Sequence, residues 1–378
     1  MKKKYIKRII GIGLLAAVVG VFVWFMQITV TNRDDNDMRS LRSFYMEDRD
    51  SLDMVIMGSS EVMSGYCAAE AYRTAGYTSF PYAFSINSVR LWKYELQDIE
   101  RTQHPKILFI ETNGALYEGD EYIFSKFCTN ALAESMPMSM NRIRLAYDLA
   151  EHPLERLFPI IKYHYKWKDI FKLPENSNLV LFREGSSRLK GVSSNLYQKE
   201  YSTELKYPPD DTTADLNSNA EEFLSEFLDV CKDSSIENIV FVEFPHVMGE
   251  KEMYERQQRA NRAAEMIREA GFDYLDLTGK SDEIGLDLEK DFFDEHHLRA
   301  SGQKKLTHYF ADEIIPAYNI KPIAQSDKNR QRWDDSAELI NKYYEFYDEY
   351  IKEHADKPHK KAKFILAENA ETMKRIGN

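Results

Sequence analysis

Residues Met54–Gly65 read MVIMGSSEVMSG, and the fold class follows from them. The apolar run Met54–Met57 ends at Gly58, two serines follow, and a helix start comes next. That is the pattern of a strand entering a sharp turn and then a helix. A serine so placed stands at the carboxyl end of a strand, where open α/β sheets gather their chemistry. Far downstream, Phe293–Leu298 reads FDEHHL, which sets Asp294 and His297 three residues apart. An early serine turn and a late Asp-x-x-His together point to a serine hydrolase or acyltransferase.

Outward from this turn, Glu61–Ala75 reads as one helix ending at Gly76, Tyr77–Phe84 as a second strand and Ser88–Thr102 as an amphipathic helix. Lys106–Glu111 (KILFIE) and Ile236–Glu243 (IENIVFVE) are buried strands, and Phe272–Leu277 is a fifth, preceded by a helix over Glu255–Ala270. A last domain helix runs from Ala300 through Ile315. Strands alternating with helices predict parallel βαβ units in a three-layer α/β sheet. The α/β body expected over 53–320 contains an insertion at about 120–235, longer than one crossover needs. Its part 141–175, with KYHYKWKDIF, reads as helical, and 176–217 as loops. It is either a recognition lid or a packed helical excursion. Beyond it, 321–378 holds an amphipathic helix and a tail. Trp333, Ala337, Ile340, Tyr344, Tyr347 and Ile351 make one face of that helix, expected to pack on its own domain or to bind a partner.

Hydrophobic residues make up 43% and aromatics 13% of the 378 residues, which suits a globular body. The formal charge is −12, and Lys2, Lys3, Lys4, Lys7 and Arg8 account for five positive charges, so the remainder carries −17. Such a surface repels a phosphate backbone and argues against nucleic acid as a partner. Cys67, Cys128 and Cys231 fit neither a metal pattern nor a disulfide framework, and read as buried thiols. The uncharged apolar run Ile9–Met26, extended by Gln27–Val30, is long enough for a membrane span at 9–30. A basic tail (1–8) precedes it and the acidic RDDND follows, within a polar spacer at 31–52 that is expected to become helical before the first strand. This charge order places the amino terminus in the cytoplasm and the body outside a cell membrane. A cleaved signal peptide is the rival, but no small-x-small site follows the run.

A serine hydroxyl becomes a nucleophile when a base takes its proton and a third group orients that base. In GSS, the glycine permits the turn and the second serine meets free N–H groups at the helix start; as a bare tripeptide it is also an ordinary helix cap. Asp294 and His297 sit within one turn before a helix start at Ala300-Ser301-Gly302, so the carboxylate can fix the imidazole tautomer. His296 adjoins them, and the spacing favours His297. Asn113 in Glu111-Thr112-Asn113-Gly114 follows the KILFIE strand, where an amide can donate to an oxyanion or simply end a strand in an Asn-Gly turn. All three segments lie at predicted strand ends on one rim of the sheet.

The order Gly58-Ser59-Ser60, Asn113 and Asp294-x-x-His297 resembles the blocks of the SGNH/GDSL hydrolases over residues 50–315. GSSEV is closest to a membrane-anchored variant found among the D-alanyl transfer proteins of teichoic acid modification, and Lys162–Trp167 (KYHYKW) is similar to their His/Trp-containing insertion. The resemblance implies a flavodoxin-like parallel sheet, Ser60 as nucleophile, His297 as base, Asp294 as orienting acid and no cofactor. It also implies an oxyanion hole from Ser60, Asn113 and a backbone N–H near Asn87, which stands close to where the family has a block glycine. Ser59 replaces the GDS aspartate and Gly114 the aspartate after the block asparagine. The expected function is an esterase or O-acyltransferase acting on acetyl or D-alanyl esters of cell-wall or surface glycans, with the membrane and a membrane-bound acyltransferase as partners. The rivals are a non-catalytic scaffold that binds a surface polymer or membrane partner, and a metal site of Asp291, Asp294, His296 and His297, which lacks ligand patterns elsewhere in the chain.

Overall fold

The computed structural model describes residues 2–30, 36–165, 188–195, 201–354, 364–366 and 376. Its strands are β1 (Met54–Gly58), β2 (Ser79–Ala83), β3 (Ile107–Glu111), β4 (Ser193–Asn195), β5 (Asn238–Glu243), β6 (Asp273–Asp276) and β7 (Phe364–Leu366). Five of them form one parallel sheet in the order β2-β1-β3-β5-β6, and β4 pairs with β7 in a separate antiparallel ribbon. The large sheet has the 2-1-3-4-5 order of flavodoxin-like sheets, whose switch point lies between β1 and β3. Every residue of β1, β2 and β3 is buried, as expected where helices cover both faces of a parallel sheet.

The two faces are filled by separate aromatic clusters. Phe109 in β3 pairs in register with Val240, and Phe241 in β5 with Ile110, so Phe109 and Phe241 point to opposite sides. On one side Phe310 packs on Phe109, Phe244 and Tyr66 with centroids 5.3–5.9 Å apart. On the other, Phe227 bridges Trp92 at 5.3 Å and Phe241 at 6.3 Å. Phe310 stands in the turn that continues helix 300–309, and Phe227 in helix 218–232; both helices turn their apolar stripe inward. Helix 300–309 continues through this π-helical turn at Phe310–Ile314 into Ile315–Ala317.

Several expectations need correction. Glu61–Ala75 is two helices, Ser60–Gly65 and Ala68–Ala75, broken at Tyr66 and Cys67. Phe244 lies so close to Gly65 that a Cβ there would come within 2.6 Å of its ring. The spacer is helical over Asn36–Phe44, as expected, but that helix belongs to the core: Met38, Leu41 and Phe44 are buried at spacings of three, and Phe44 meets Phe80 and Tyr82 edge-on. Residues 31–35 of that spacer lie outside the described residues. In the 120–235 segment, short helices lie at 120–123, 126–135, 140–149, 153–157 and 159–163 and a longer one at 218–232, 201–217 is loop, and 166–187 and 196–200 are outside the described residues. Lys166 and Trp167 of KYHYKW fall there.

Helix Asp327–His354 buries Trp333, Ile340, Tyr343, Tyr344 and Tyr347 against the helices at 68–75 and 300–309. Beneath it, the fully buried Lys190 ammonium binds both Glu47 oxygens (3.0 and 2.9 Å) and lies 4.2 Å from the Trp333 ring centroid. A buried cation needs both kinds of partner. The amino-terminal helix Lys2–Val30 contains the 23-residue apolar stretch Lys4–Met26, long enough to cross a membrane and only 6% buried. All three cysteines are free and buried.

Candidate active site

The turn after β1 is tight because nothing larger than hydrogen fits at Gly58. A Cβ there would sit 2.5 Å from Val62 Cγ2 and 2.7 Å from Glu111 Cβ. Ser59 follows in an extended conformation and caps helix 60–65, its Oγ accepting from Glu61 N. Ser59 is fully buried, its N–H donates to Glu111 Oε2 at 2.9 Å, and its Oγ accepts from Asn113 Nδ2 at 3.2 Å. Ser60 is half-buried and opens on a cleft of about 650 Å³.

Ser60 Oγ lies 2.8 Å from His297 Nε2, and His297 Nδ1 lies 2.8 Å from Asp294 Oδ1. The same carboxylate oxygen accepts the His297 backbone N–H at 2.9 Å. With Nδ1–H held by the carboxylate, Nε2 is left as acceptor for the serine hydroxyl. The hairpin-like loop that carries them is pinned by backbone bonds from Phe293 N to His297 O and from Arg299 N to Asp291 O. His296 lines the cleft with its ring 4.1 Å from that of His297, but its Nδ1 is 3.8 Å from Asp294. Burial, then the charge of His297, pushes the His296 imidazole down to about 3.

Asn113 lines the same cleft from the 3₁₀ turn after β3. Its Oδ1 accepts from Arg256 Nε at 3.3 Å, which turns Nδ2 toward Ser59 Oγ and, at 3.4 Å, Tyr117 OH. The longer of these bonds is the one an oxyanion would replace. Asn87 is placed differently. It is fully buried, and its Nδ2 donates to Gly58 O (3.1 Å) and Glu95 Oε2 (2.9 Å), bracing the turn from behind. Its neighbour Ile86 lines the cleft and holds φ +56°, a conformation costly for a β-branched residue. The glycine-like position is therefore Ile86. Gly114 is also explained: a Cβ there would meet Asn87 O at 2.4 Å and Trp92 at 2.8 Å.

Behind the cleft lies a buried charge cluster that the sequence reading does not contain. Arg256, from helix 251–269, binds Glu61 Oε1 at 3.1 Å and also Glu243. His246 Nε2 lies 2.9 Å from Glu61 Oε2, and Arg256 Nη1 lies 2.9 Å from His246 Nδ1. A neutral His246 that donates through Nε2 and accepts at Nδ1 satisfies both. Burial and the Arg256 charge push its imidazole down to about 3. Glu111 accepts the backbone N–H groups of Ser59 (2.9 Å) and Asn113 (2.6 Å), so one carboxyl ties the serine turn to the asparagine turn. Burial, then Glu61 and Glu243, pushes it up to about 8. The only hints in the sequence are that Glu111 and Glu243 both end strands and that Glu61 follows Ser60. Arg256 sits in a charged helix with nothing in its pattern to set it apart.

The ligand atoms of Asp294, His296 and His297 lie within 4.8 Å of one another. Asp291, the fourth residue of the metal alternative, instead binds Lys305 Nζ at 2.6 Å and Asp287 N at 2.7 Å. The rest of the cleft wall combines the carboxylates of Glu118, Glu121, Glu252 and Glu255 and the Arg259 guanidinium with Leu116, Tyr117, Tyr122 and Met253. No family model matches the chain, and no curated protein matches it.

Proposed function

We propose that this chain is a membrane-anchored, extracytoplasmic serine esterase or O-acyltransferase of SGNH type. One observation carries the reading: Ser60 Oγ, His297 Nε2, His297 Nδ1 and Asp294 Oδ1 follow one another at 2.8 Å steps inside a cleft. Ser60 Oγ attacks the ester carbonyl as His297 Nε2 takes its proton, and Asp294 stabilises the imidazolium. The oxyanion is met by Ser60 N–H and Asn113 Nδ2. A backbone N–H in the Ile86–Asn87 turn is the third donor. Collapse breaks the ester C–O bond, and His297 returns the proton to the leaving alcohol. Water or a sugar hydroxyl then attacks acyl-Ser60, with His297 again as base, and frees the serine.

The apolar run at 9–30 with its basic leading end supports a body at the outer face of the membrane. A surface or cell-wall glycan is then the acyl carrier, and a membrane-bound acyltransferase is a partner that could supply the acyl group. The carboxylates around the cleft favour an acyl group bearing an ammonium, such as D-alanyl, over acetyl.

The test is fluorophosphonate labelling of the full chain in detergent, beside Ser60→Ala and Ser59→Ala. Labelling should vanish in Ser60→Ala, persist in Ser59→Ala and survive a chelator. Labelling that tracks Ser59 would move the nucleophile. A folded wild-type chain that does not label would leave the scaffold reading, and loss with chelator would favour the metal.

A further inference from the structure

The helices between 126 and 163 leave a row of large apolar side chains uncovered. Phe127, Met140, Tyr147, Leu154, Phe158 and Ile161 are each between 38% and 66% exposed. Single exposed apolar residues are ordinary, but a concentration in one segment calls for an occupant. The helices are not loosely held. Met140 and Tyr147, seven residues apart, share the outer side of helix 140–149, while Arg142, Leu145 and Ala146 are buried on its inner side. Arg142 donates to the carbonyls of Met136 (2.7 Å) and Arg156 (2.6 Å), locking three of the short helices together. The outer side is thus a firm surface.

The occupant follows from what this surface adjoins. Met26, the last residue of the apolar stretch Lys4–Met26, packs with Tyr163 and Ile160 in a cluster of its own. Helix 159–163 therefore sits where the span ends, and Ile161 on that helix is exposed. The charge pattern agrees. Residues 126–165 hold five Lys/Arg and four Asp/Glu, a balance of +1, whereas the chain beyond residue 8 carries −17. Aromatic and aliphatic side chains interleaved with Lys126, Arg144 and Lys162 are what the interfacial zone of a bilayer accepts, and an acidic surface is what it repels.

We propose that the outer face of the helices from 126 to 163 lies on the lipid leaflet that the amino-terminal helix enters, so that the chain is held by a span and by a docked face. This rests on the amino-terminal helix being a membrane anchor.

Depth-dependent quenching tests this on the full chain reconstituted in phosphatidylcholine–phosphatidylglycerol liposomes. The native cysteines are buried, so single exposed cysteines at Phe127→Cys and Leu154→Cys can be labelled selectively with a nitrobenzoxadiazole probe. Leu15→Cys reports the anchor and the exposed Glu269→Cys reports water. Lipids carrying a nitroxide near the headgroup should quench positions 127 and 154 at least threefold more than position 269. Deep nitroxides should quench position 15. If 15 is quenched while 127 and 154 match 269, the docked face is wrong and the anchor stands. If 15 also matches 269, the anchor itself fails and the proposal with it.

Discussion

At Ser59 and Ser60 two identical side chains take different work because of where the turn points them. Ser59 Oγ is used up by the Glu61 and Asn113 N–H groups, and Ser60 Oγ meets a base. The same logic separates His297 from His296 by about an ångström of distance to Asp294. Asn113 should matter through its amide alone. Asn113→Ala is expected to lower kcat for a small ester by about 10²–10³-fold with the fold retained, as for loss of one oxyanion donor; a kcat within threefold of wild type would remove it from the oxyanion site. Glu111 acts at one remove, because its two oxygens accept the backbone N–H groups of Ser59 and Asn113. Glu111→Gln turns one acceptor into a donor facing a donor. Unfolding by urea in detergent should show a loss of about 1–3 kcal/mol, and unchanged stability would mean that the two turns hold without it.

The elements show which parts of this arrangement can be read from sequence. Gly58→Ala should leave the sheet intact yet displace the β1 turn, since the added carbon collides with Val62 and Glu111 side chains. Fluorophosphonate labelling is expected to slow at least tenfold, and an unchanged rate would show that the turn can relax. Four of the five sheet strands are legible as short, mostly apolar runs, whereas β6 reads DYLD, is only partly buried and is legible through the alternation in Phe272–Leu277. Ser60 and Asn113 are legible because they follow the ends of such runs, and Asp294 and His297 because an acid stands three residues before a histidine just ahead of a helix start. The core role of helix 36–44 is not legible. Its three core residues lie among Arg, Ser and Asp, and only the docked structure shows that these polar groups are buried too. The break at Tyr66–Cys67 is likewise tertiary, set by Phe244 against Gly65. Arg256 is hidden for a related reason, because an inward arginine on a charged helix has the same local pattern as an outward one.

Over the whole molecule, the buried charges behind the cleft tie stability to pH in two opposite directions. Burial and the Arg256 charge hold the His246 imidazole down to about 3, below its ordinary 6.5. The unfolded chain therefore binds the proton first, and stability falls as pH drops from 6.5 toward 3. The Glu111 carboxyl is pushed the other way, from 4.5 up to about 8, as is that of Glu95, which burial alone raises against its bond from Asn87. Here the folded chain keeps the proton longer, so this contribution is greatest below 4.5 and is lost as pH climbs to 8. The two trends oppose each other between 4.5 and 6.5, and above 6.5 the raised carboxyls of Glu111 and Glu95 still act while the imidazole of His246 no longer does. A variant with Gln at 111 does not titrate at that position, so its deficit relative to wild type should shrink as pH rises from about 5 to about 8. Parallel urea-unfolding profiles for wild type and Glu111→Gln across that range would mean that Glu111 is already ionised in the folded protein. The two backbone N–H groups and Arg256 would then outweigh the burial and the neighbouring carboxylates that oppose its charge.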